Sequence, residues 1–352
     1  MSLDGDAVSP LRFMVMNLQE ITRVRLGHWP TPLEPMKGLA RRLNAERLFI
    51  KRDDCTGLAT GGSKTRKLEF LVGEAMHQGA DTLLTCGAVQ SNHVRQTAAA
   101  AAFMGLACEA ILEERVQGAP AAYHESGNVL LDHLFGVRLH RVPGGSAMDA
   151  ALEALAQQLR EQGRKPYVIP GGGSNALGSL GYVDCVLELQ RQCEAMGLRK
   201  PHLVHATGRA GTQAGLVAGV HALGLGWPVT GIGVRAPREA QEAKVYELAQ
   251  RTLALLGVKQ PLPRSSVVAD DRFIGAGYGI ATDSMVEAVT MLARTEGILA
   301  DPVYTGKGLA GLLDMVRTGR FQPDEDVIFV HTGGSAGLFG YLGYDMIRLV
   351  EH

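Results

Sequence analysis

Along this chain the hydrophobic pattern changes period in a regular alternation. Short apolar runs, rich in β-branched residues and bounded by glycine or polar turns, read as buried strands. They fall at 48–52, 82–86, 107–112, 137–142, 167–170, 203–206, 229–234 and 327–330. Between them lie stretches with helical spacing. Leu68, Leu71, Val72, Ala75 and Met76 form one such stripe, and Gly79 is placed to end it in a left-handed turn. An alanine-rich helix runs to about Met104, stopped by Gly105. Others are expected over 129–135, 148–162, up to about Met196, and over 212–223, 239–256 and 284–295. Pro30 to Pro35 is too proline-stiffened for helix and reads as extended chain. Strands alternating with helices throughout imply parallel sheet covered by helices on both faces, an α/β fold. In such sheets ligands bind beyond the carboxyl ends of the strands, and the polar glycine turns of this chain fall there.

Four of those turns carry candidate chemistry. Gly61-Gly62-Ser63-Lys64 delivers a lysine in a turn ahead of the buried stripe, where glycines admit close approach of a ligand. Arg66 and Lys67 beside it are expected to lower its pKa toward the nucleophilic amine. A solvated basic helix start is the plain alternative. Thr207 to Gly215 joins a strand to a helix, and its free N–H groups suit a phosphate; a structural turn without ligand is the alternative. Gln90-Ser91-Asn92-His93 opens a helix and could hold a carboxylate, or serve as an ordinary N-cap through Ser91 or Asn92. His331 to Ser335 places a neutral hydroxyl at a strand end. The loop Asp301 to Lys307 lacks the residue after the lysine that a Walker loop needs, and Ser63 breaks that motif at Lys64. The glycines at 208, 211 and 215 do not make a dinucleotide fingerprint.

Composition narrows the classes. The 352 residues, 46% hydrophobic, can bury a large core. A net charge of −1 offers no electrostatic case for nucleic acid or a membrane surface. No apolar run reaches membrane-span length. Residues 1–22 read as a flexible leader without a secretory pattern, with Met14 or Met16 as an alternative start. Five cysteines without a C-x-x-C pair fit reduced thiols in the cytoplasm, and no histidine motif for metal is present. A lysine able to form an imine together with a separate phosphate site is the combination pyridoxal 5'-phosphate requires. A non-enzymatic phosphate- or amino-acid-binding protein is the reading of another class.

Six motifs in order, Gly61 to Glu69, Gln90 to Gln96, Gly171 to Asn175, Gly208 to Gly215, Asp301 to Lys307 and His331 to Ser335, resemble the D-cysteine desulfhydrase and 1-aminocyclopropane-1-carboxylate deaminase family. The similarity runs from about Leu26 to Tyr341. It implies a pyridoxal-phosphate enzyme of the tryptophan-synthase-β-like fold (fold type II), with two open, mainly parallel sheets flanked by helices. It further implies a discontinuous large domain, 23–66 and 175–352, into which a small α/β domain, 67–174, is inserted, and a homodimer. By position, Lys64 matches the Schiff-base lysine, and Lys67 with Gly208, Arg209, Ala210, Gly211 and Thr212 matches the phosphate anchor. Asn92 matches the partner of the ring hydroxyl, and Ser91, Asn92 and His93 the substrate-carboxylate loop. Tyr304 matches the tyrosine beside the ring and Tyr278 a second active-site tyrosine. Thr332 falls at the pyridine nitrogen.

Three positions separate branches of this family. The deaminase branch has Glu at 305, Leu at 332 and Gln at 93; this chain has Thr305, Thr332 and His93, like the desulfhydrase branch. The resemblance therefore implies β-elimination from a small cysteine-like amino acid, giving pyruvate and ammonia. D-cysteine releasing sulfide is the first expectation and L-cysteate releasing sulfite the alternative. Two residues depart from the family pattern: Ser63 where Asn is usual, and Arg209 where a small residue is usual.

Overall fold

In the computed structural model, which describes residues 18–341, the alternation closes into two sheets. In chain order the first elements are β1 (Leu33–Pro35), α1 (Lys37–Leu43), β2 (Leu48–Arg52) and α2 (Lys64–His77). Next come β3 (Thr82–Ala88), α3 (Asn92–Met104), β4 (Ala107–Glu114), α4 (Ala121–Glu125) and α5 (Asn128–Leu134). They are followed by β5 (Arg138–Pro143), α6 (Met148–Glu161), β6 (Pro166–Val168) and α7 (Ala176–Met196). The remainder comprises β7 (Pro201–Thr207), α8 (Gly211–Ala222), β8 (Val229–Gly233), α9 (Arg238–Leu255) and β9 (Val268–Asp270). Last are α10 (Asp283–Glu296), α11 (Thr305–Arg317), β10 (Asp326–His331) and α12 (Gly337–Gly340).

The large sheet has the order β1-β2-β10-β7-β8-β9 and the small one β5-β4-β3-β6. All pairings are parallel except β1 with β2, where Leu33 faces Lys51. The proline-stiffened segment thus becomes an antiparallel edge strand, the place in a sheet where proline is tolerated. This is the fold-type-II architecture expected above. Separate apolar layers cover the two faces of the large sheet, one built on α7, α8 and α9 and the other on α10, α11 and β2.

Several expectations change in detail. Leu68, Leu71, Val72 and Ala75 are fully buried, whereas Met76 is 40% exposed. The other face of α2 is buried as well, including Arg66, Lys67, Glu69 and Phe70, because the helix is clasped between α7 and α3. Lys64 is the first residue of that helix rather than part of the turn before it. Lys307, expected in a loop, lies in α11. Of the leader expected over 1–22, only 18–22 fall within the described residues, and there Leu18 is buried in the core.

A buried ion network locks α2 to its surroundings. Arg66 donates to both oxygens of Asp53 at 2.8 Å and to Glu188, while Tyr182 and Thr31 hydroxyls donate to Asp53. Lys51 closes the network on Glu188. Burial alone would favour a protonated Asp53, but Arg66 reverses this and holds the carboxyl below the usual range. Removing one member leaves an uncompensated buried charge. Asp53→Ala is therefore expected to lose about 3–5 kcal/mol of stability, read as a lower urea midpoint. Because its folded pKa is depressed, the contribution of Asp53 is complete above the unfolded value of about 4 and fades as pH falls below it. A midpoint unchanged by the substitution would show that the network is energetically idle.

Candidate active site

The carboxyl ends of β2, β3, β6, β7 and β10 meet at one cleft, with about 720 Å³ of space between protein atoms, mouth included. The turns predicted to carry chemistry converge on it: Lys64, Lys67, Ser91, Asn92, His93, Gly208, Arg209, Thr212, Tyr304 and Thr332 all line its wall. Ala210 and Gly211 continue the same loop into α8, and Tyr278 reaches the cleft through Tyr304, their hydroxyls 2.7 Å apart.

Lys64 is delivered by a strained turn. Gly61 has φ +76°, and a Cβ there would stand 1.8 Å from the Asp54 carbonyl. The Ser63 amide donates to the Thr332 carbonyl at 3.0 Å, tying the lysine turn to the end of β10. Lys64 is half-buried and donates to Ser63 Oγ at 3.0 Å. Burial pushes its ammonium down to about 8; Arg95 adds to the effect and Asp301 opposes it. The expected cause was different: Arg66 points away from the cleft into the Asp53 network.

Lys67, one turn further along α2, is 1% exposed and donates to the Gly172 carbonyl at 3.2 Å. Among the described residues it has no salt bridge, and burial followed by the Lys64 cation pushes it far down. It faces the start of α8, which has no side-chain cap. A Cβ on Gly211 would stand 2.9 Å from Lys67 Nζ. A buried cation beside the opening N–H groups of α8, of which that of Gly211 donates to Ser174 Oγ at 3.3 Å, forms an anion cradle kept open by glycine. This is the observation by which the residues fit pyridoxal phosphate. The Arg209 side chain leaves that cradle: its stem packs over Gly172 and its guanidinium over Gly171, and the residue is exposed at the mouth.

Ser91 caps α3, accepting from the Val94 amide at 3.2 Å, so the plain reading of that turn also holds. Asn92 Oδ1 accepts from Arg95 and from Asn128, each at 3.0 Å, and among the described residues its amide nitrogen has no acceptor. His93 is buried, with Nε2 2.8 Å from Thr85 Oγ1. Tyr278 and Tyr304 are both held neutral, pushed up first by burial. Among the described residues no cluster could hold a metal, all five cysteines are free, and no helix is long and apolar enough to cross a membrane.

Several residues that build the site were not singled out from sequence. Arg95, fully buried and lowered to about 10 by burial, donates to Gly61 O at 2.9 Å and to Asn128, fixing the lysine turn to α3. Gln96 accepts from the Thr65 amide at 2.9 Å. Asp301 is 1% exposed and accepts from the amides of Val303 and Tyr304 and from Thr305 Oγ1. These residues lie inside the conspicuous motifs, but only the fold reveals what they hold. The Asp301–Thr305 bond also bears on branch choice, since a glutamate at 305 would set a second carboxylate against Asp301.

The family model for pyridoxal-phosphate dependent enzymes matches residues 24–333. Two similar proteins are D-cysteine desulfhydrases of Salmonella newport (strain SL254) and Salmonella typhi. Each is 44% identical over 326 residues, covering 92% of this chain and 98% of the relative. Among solved structures, a crystal structure of an ACC deaminase homologue superposes with a TM-score of 0.86 at 36% identity, covering 96% of this chain and 98% of that one.

The lowered Lys64 pKa can be titrated in cofactor-free protein. Acylation of Lys64, followed by peptide mapping, is expected to rise with pH and reach half its limit near 8. An exposed lysine would do so near 10 (roughly 10.4 for the unperturbed amine). A Lys64 profile coinciding with that of exposed lysines would contradict the burial described.

Proposed function

Because the chain belongs to the pyridoxal-phosphate dependent enzymes, we propose that it is a carbon–sulfur lyase, a D-cysteine desulfhydrase that converts D-cysteine and water to pyruvate, ammonia and hydrogen sulfide. The observation that carries the reading is the pair of cleft lysines on one face of α2, with Lys67 buried and lacking an anion, in a chain so similar to desulfhydrases. Lys67 and the loop Gly208 to Thr212 would hold the phosphate, Lys64 the aldehyde carbon, and the Asn92 amide the ring hydroxyl. Tyr304 would lie beside the ring. The Thr332 hydroxyl would meet the ring nitrogen as a neutral partner. Bound there, the cofactor supplies an electron sink for negative charge at the substrate's α-carbon.

The chain's own groups do the rest. The N–H groups opening α3, with Ser91 and Asn92, orient the substrate carboxylate. Lys64, whose amine is neutral above about 8, is the base that takes the α-proton. Tyr278 and Tyr304, hydrogen-bonded and buried, wall the cleft beside the leaving group and keep an O–H available to it. Five free cysteines suit a reducing compartment, and we place the enzyme in the cytoplasm, as a homodimer. We divide the chain into 23–66 with 175–352 against 67–174, a reading supported by the separation of its strands into two sheets, the small one formed by β3 to β6.

A second reading, release of sulfite from cysteate, rests on the arginines at the mouth. Arg115 and Arg209 line the cleft, and Arg235 lines the adjoining opening with Arg115 and Tyr278. Arg115 pairs with Glu113 at 2.6 Å, whereas among the described residues Arg209 and Arg235 have no salt bridge. Burial and then its neighbours Arg115 and Arg209 push Arg235 down, the signature of crowded like charges. A sulfonate entering there would find charge-assisted partners.

Three experiments test these readings. Lys64→Ala is expected to abolish pyruvate release from D-cysteine and the absorbance of lysine-bound cofactor while leaving the thermal midpoint near that of the parent. Retained turnover would refute the role. Pyruvate release from D-cysteine, L-cysteine, L-cysteate and aminocyclopropane carboxylate, side by side, is expected to favour D-cysteine. Arg209→Ser is expected to leave D-cysteine kcat/KM within about twofold, while a cysteate activity would fall about ten- to a hundredfold. Preference of the parent for cysteate would give precedence to the second reading.

A further inference from the structure

The neighbours of His93 hold it in one tautomer. Thr85 Oγ1 lies 2.8 Å from His93 Nε2 and 2.8 Å from the Ile169 carbonyl. The hydroxyl has one proton and the carbonyl can only accept, so that proton belongs to Ile169. His93 Nε2 therefore carries the ring hydrogen and donates it to Thr85. Nδ1 is left as a lone pair, buried and, among the described residues, without a partner. The ring is 4% exposed and lines the cleft. Burial, and then the Lys64, Lys67 and Arg209 cations, hold its pKa far below the usual range, so it stays neutral.

A buried acceptor is anomalous in this wall. The lysine ammoniums, the Asn92 amide nitrogen and the opening N–H groups of α3 are donors suited to anions, the hydroxyls of the wall can donate as well as accept, and the Asp301 carboxylate is taken by the amides of Val303 and Tyr304 and by Thr305 Oγ1. A lone pair disfavours a carboxylate, so His93 is ill suited to the carboxylate role its position implied. It suits a group that brings its own hydrogen. Cysteine offers two such groups, the α-amino group and the thiol, and the first is taken toward Lys64.

We propose that His93 Nδ1 accepts a hydrogen bond from the substrate's β-thiol and so selects amino acids whose leaving group carries a proton. The inference rests on the elimination reading above and assigns His93 as a specificity-determining residue for it. When the C–S bond breaks, its electron pair passes to sulfur, which keeps its own hydrogen and leaves as hydrosulfide. His93 gains and loses no proton.

The test is a ratio, which cancels any general damage to the site. D-cysteine is compared with β-chloro-D-alanine, the same carbon frame with a leaving group that has no hydrogen. His93→Leu is expected to lower the ratio of their kcat/KM values about five- to tenfold. His93→Gln, whose amide oxygen accepts, should restore it to within about twofold. Calorimetric binding of 3-mercaptopropanoate and butanoate gives a second readout without turnover: the parent and His93→Gln should prefer the thiol, and His93→Leu should not. Unchanged ratios and preferences in His93→Leu would overturn the proposal, as would their loss in both variants. A parent that processes β-chloro-D-alanine but not D-cysteine would defeat the desulfhydrase reading instead, and the two binding preferences would still decide the role of His93.

Discussion

The structure depends on two amine groups placed one helical turn apart on α2, Lys67 fully buried and Lys64 half-buried at the same cleft. Lys64 and Lys67 both face the cleft from α2, each is pushed down by burial, and Lys67 is pushed further by Lys64. A buried cation without a counter-ion is costly, and chains retain one where a ligand supplies the missing charge. The start of α8 lies beside Lys67, and its helix dipole adds to the demand for an anion there. A phosphate bound there would satisfy the cation and the helix end together.

The surrounding scaffold makes this placement rigid. On one side, Arg66 anchors α2 through Asp53 and Glu188 to β2 and α7. On the other, Arg95 and Gln96 of α3 bond the backbone of the lysine turn at Gly61 and Thr65. Asp301 gathers the start of α11 and so aims Tyr304. Buried polar groups are favourable when satisfied, and the Arg95 Nη2 and Gln96 Oε1 atoms that hold the lysine turn are bonded to its backbone. Lys307, lowered to about 8 by burial, donates to the carbonyls of Ile274 and Gly277 and thereby holds the loop that carries Tyr278.

Much of this was legible before any fold was in hand, for physical reasons. β3, β7 and β10 are buried along almost their whole length and show as unbroken apolar runs bounded by turns, so they fall close to their expected places, as do α3 and α8 between them. The glycine turns at strand ends were visible because parallel sheets put ligands there. Two kinds of feature were hidden. Local pattern cannot show that α2 is buried on both faces, since that depends on α7 and α3 packing from distant parts of the chain. Nor can it show direction: Arg66 and Lys67 are neighbours in sequence, yet one enters a structural ion network and the other the cleft. The tautomer of His93 is set by Thr85 and Ile169, which no motif links to it.

Half-buried Lys64, beside the buried Lys51, Lys67 and Lys307, is the lysine proposed to hold the cofactor. Borohydride reduction of the holoenzyme followed by peptide mapping distinguishes them. The pyridoxyl mass is expected on the peptide containing Lys64, bound through that residue, with Lys67 and Lys307 unmodified. A stoichiometric label on Lys67, on Lys307 or on any other lysine would contradict it.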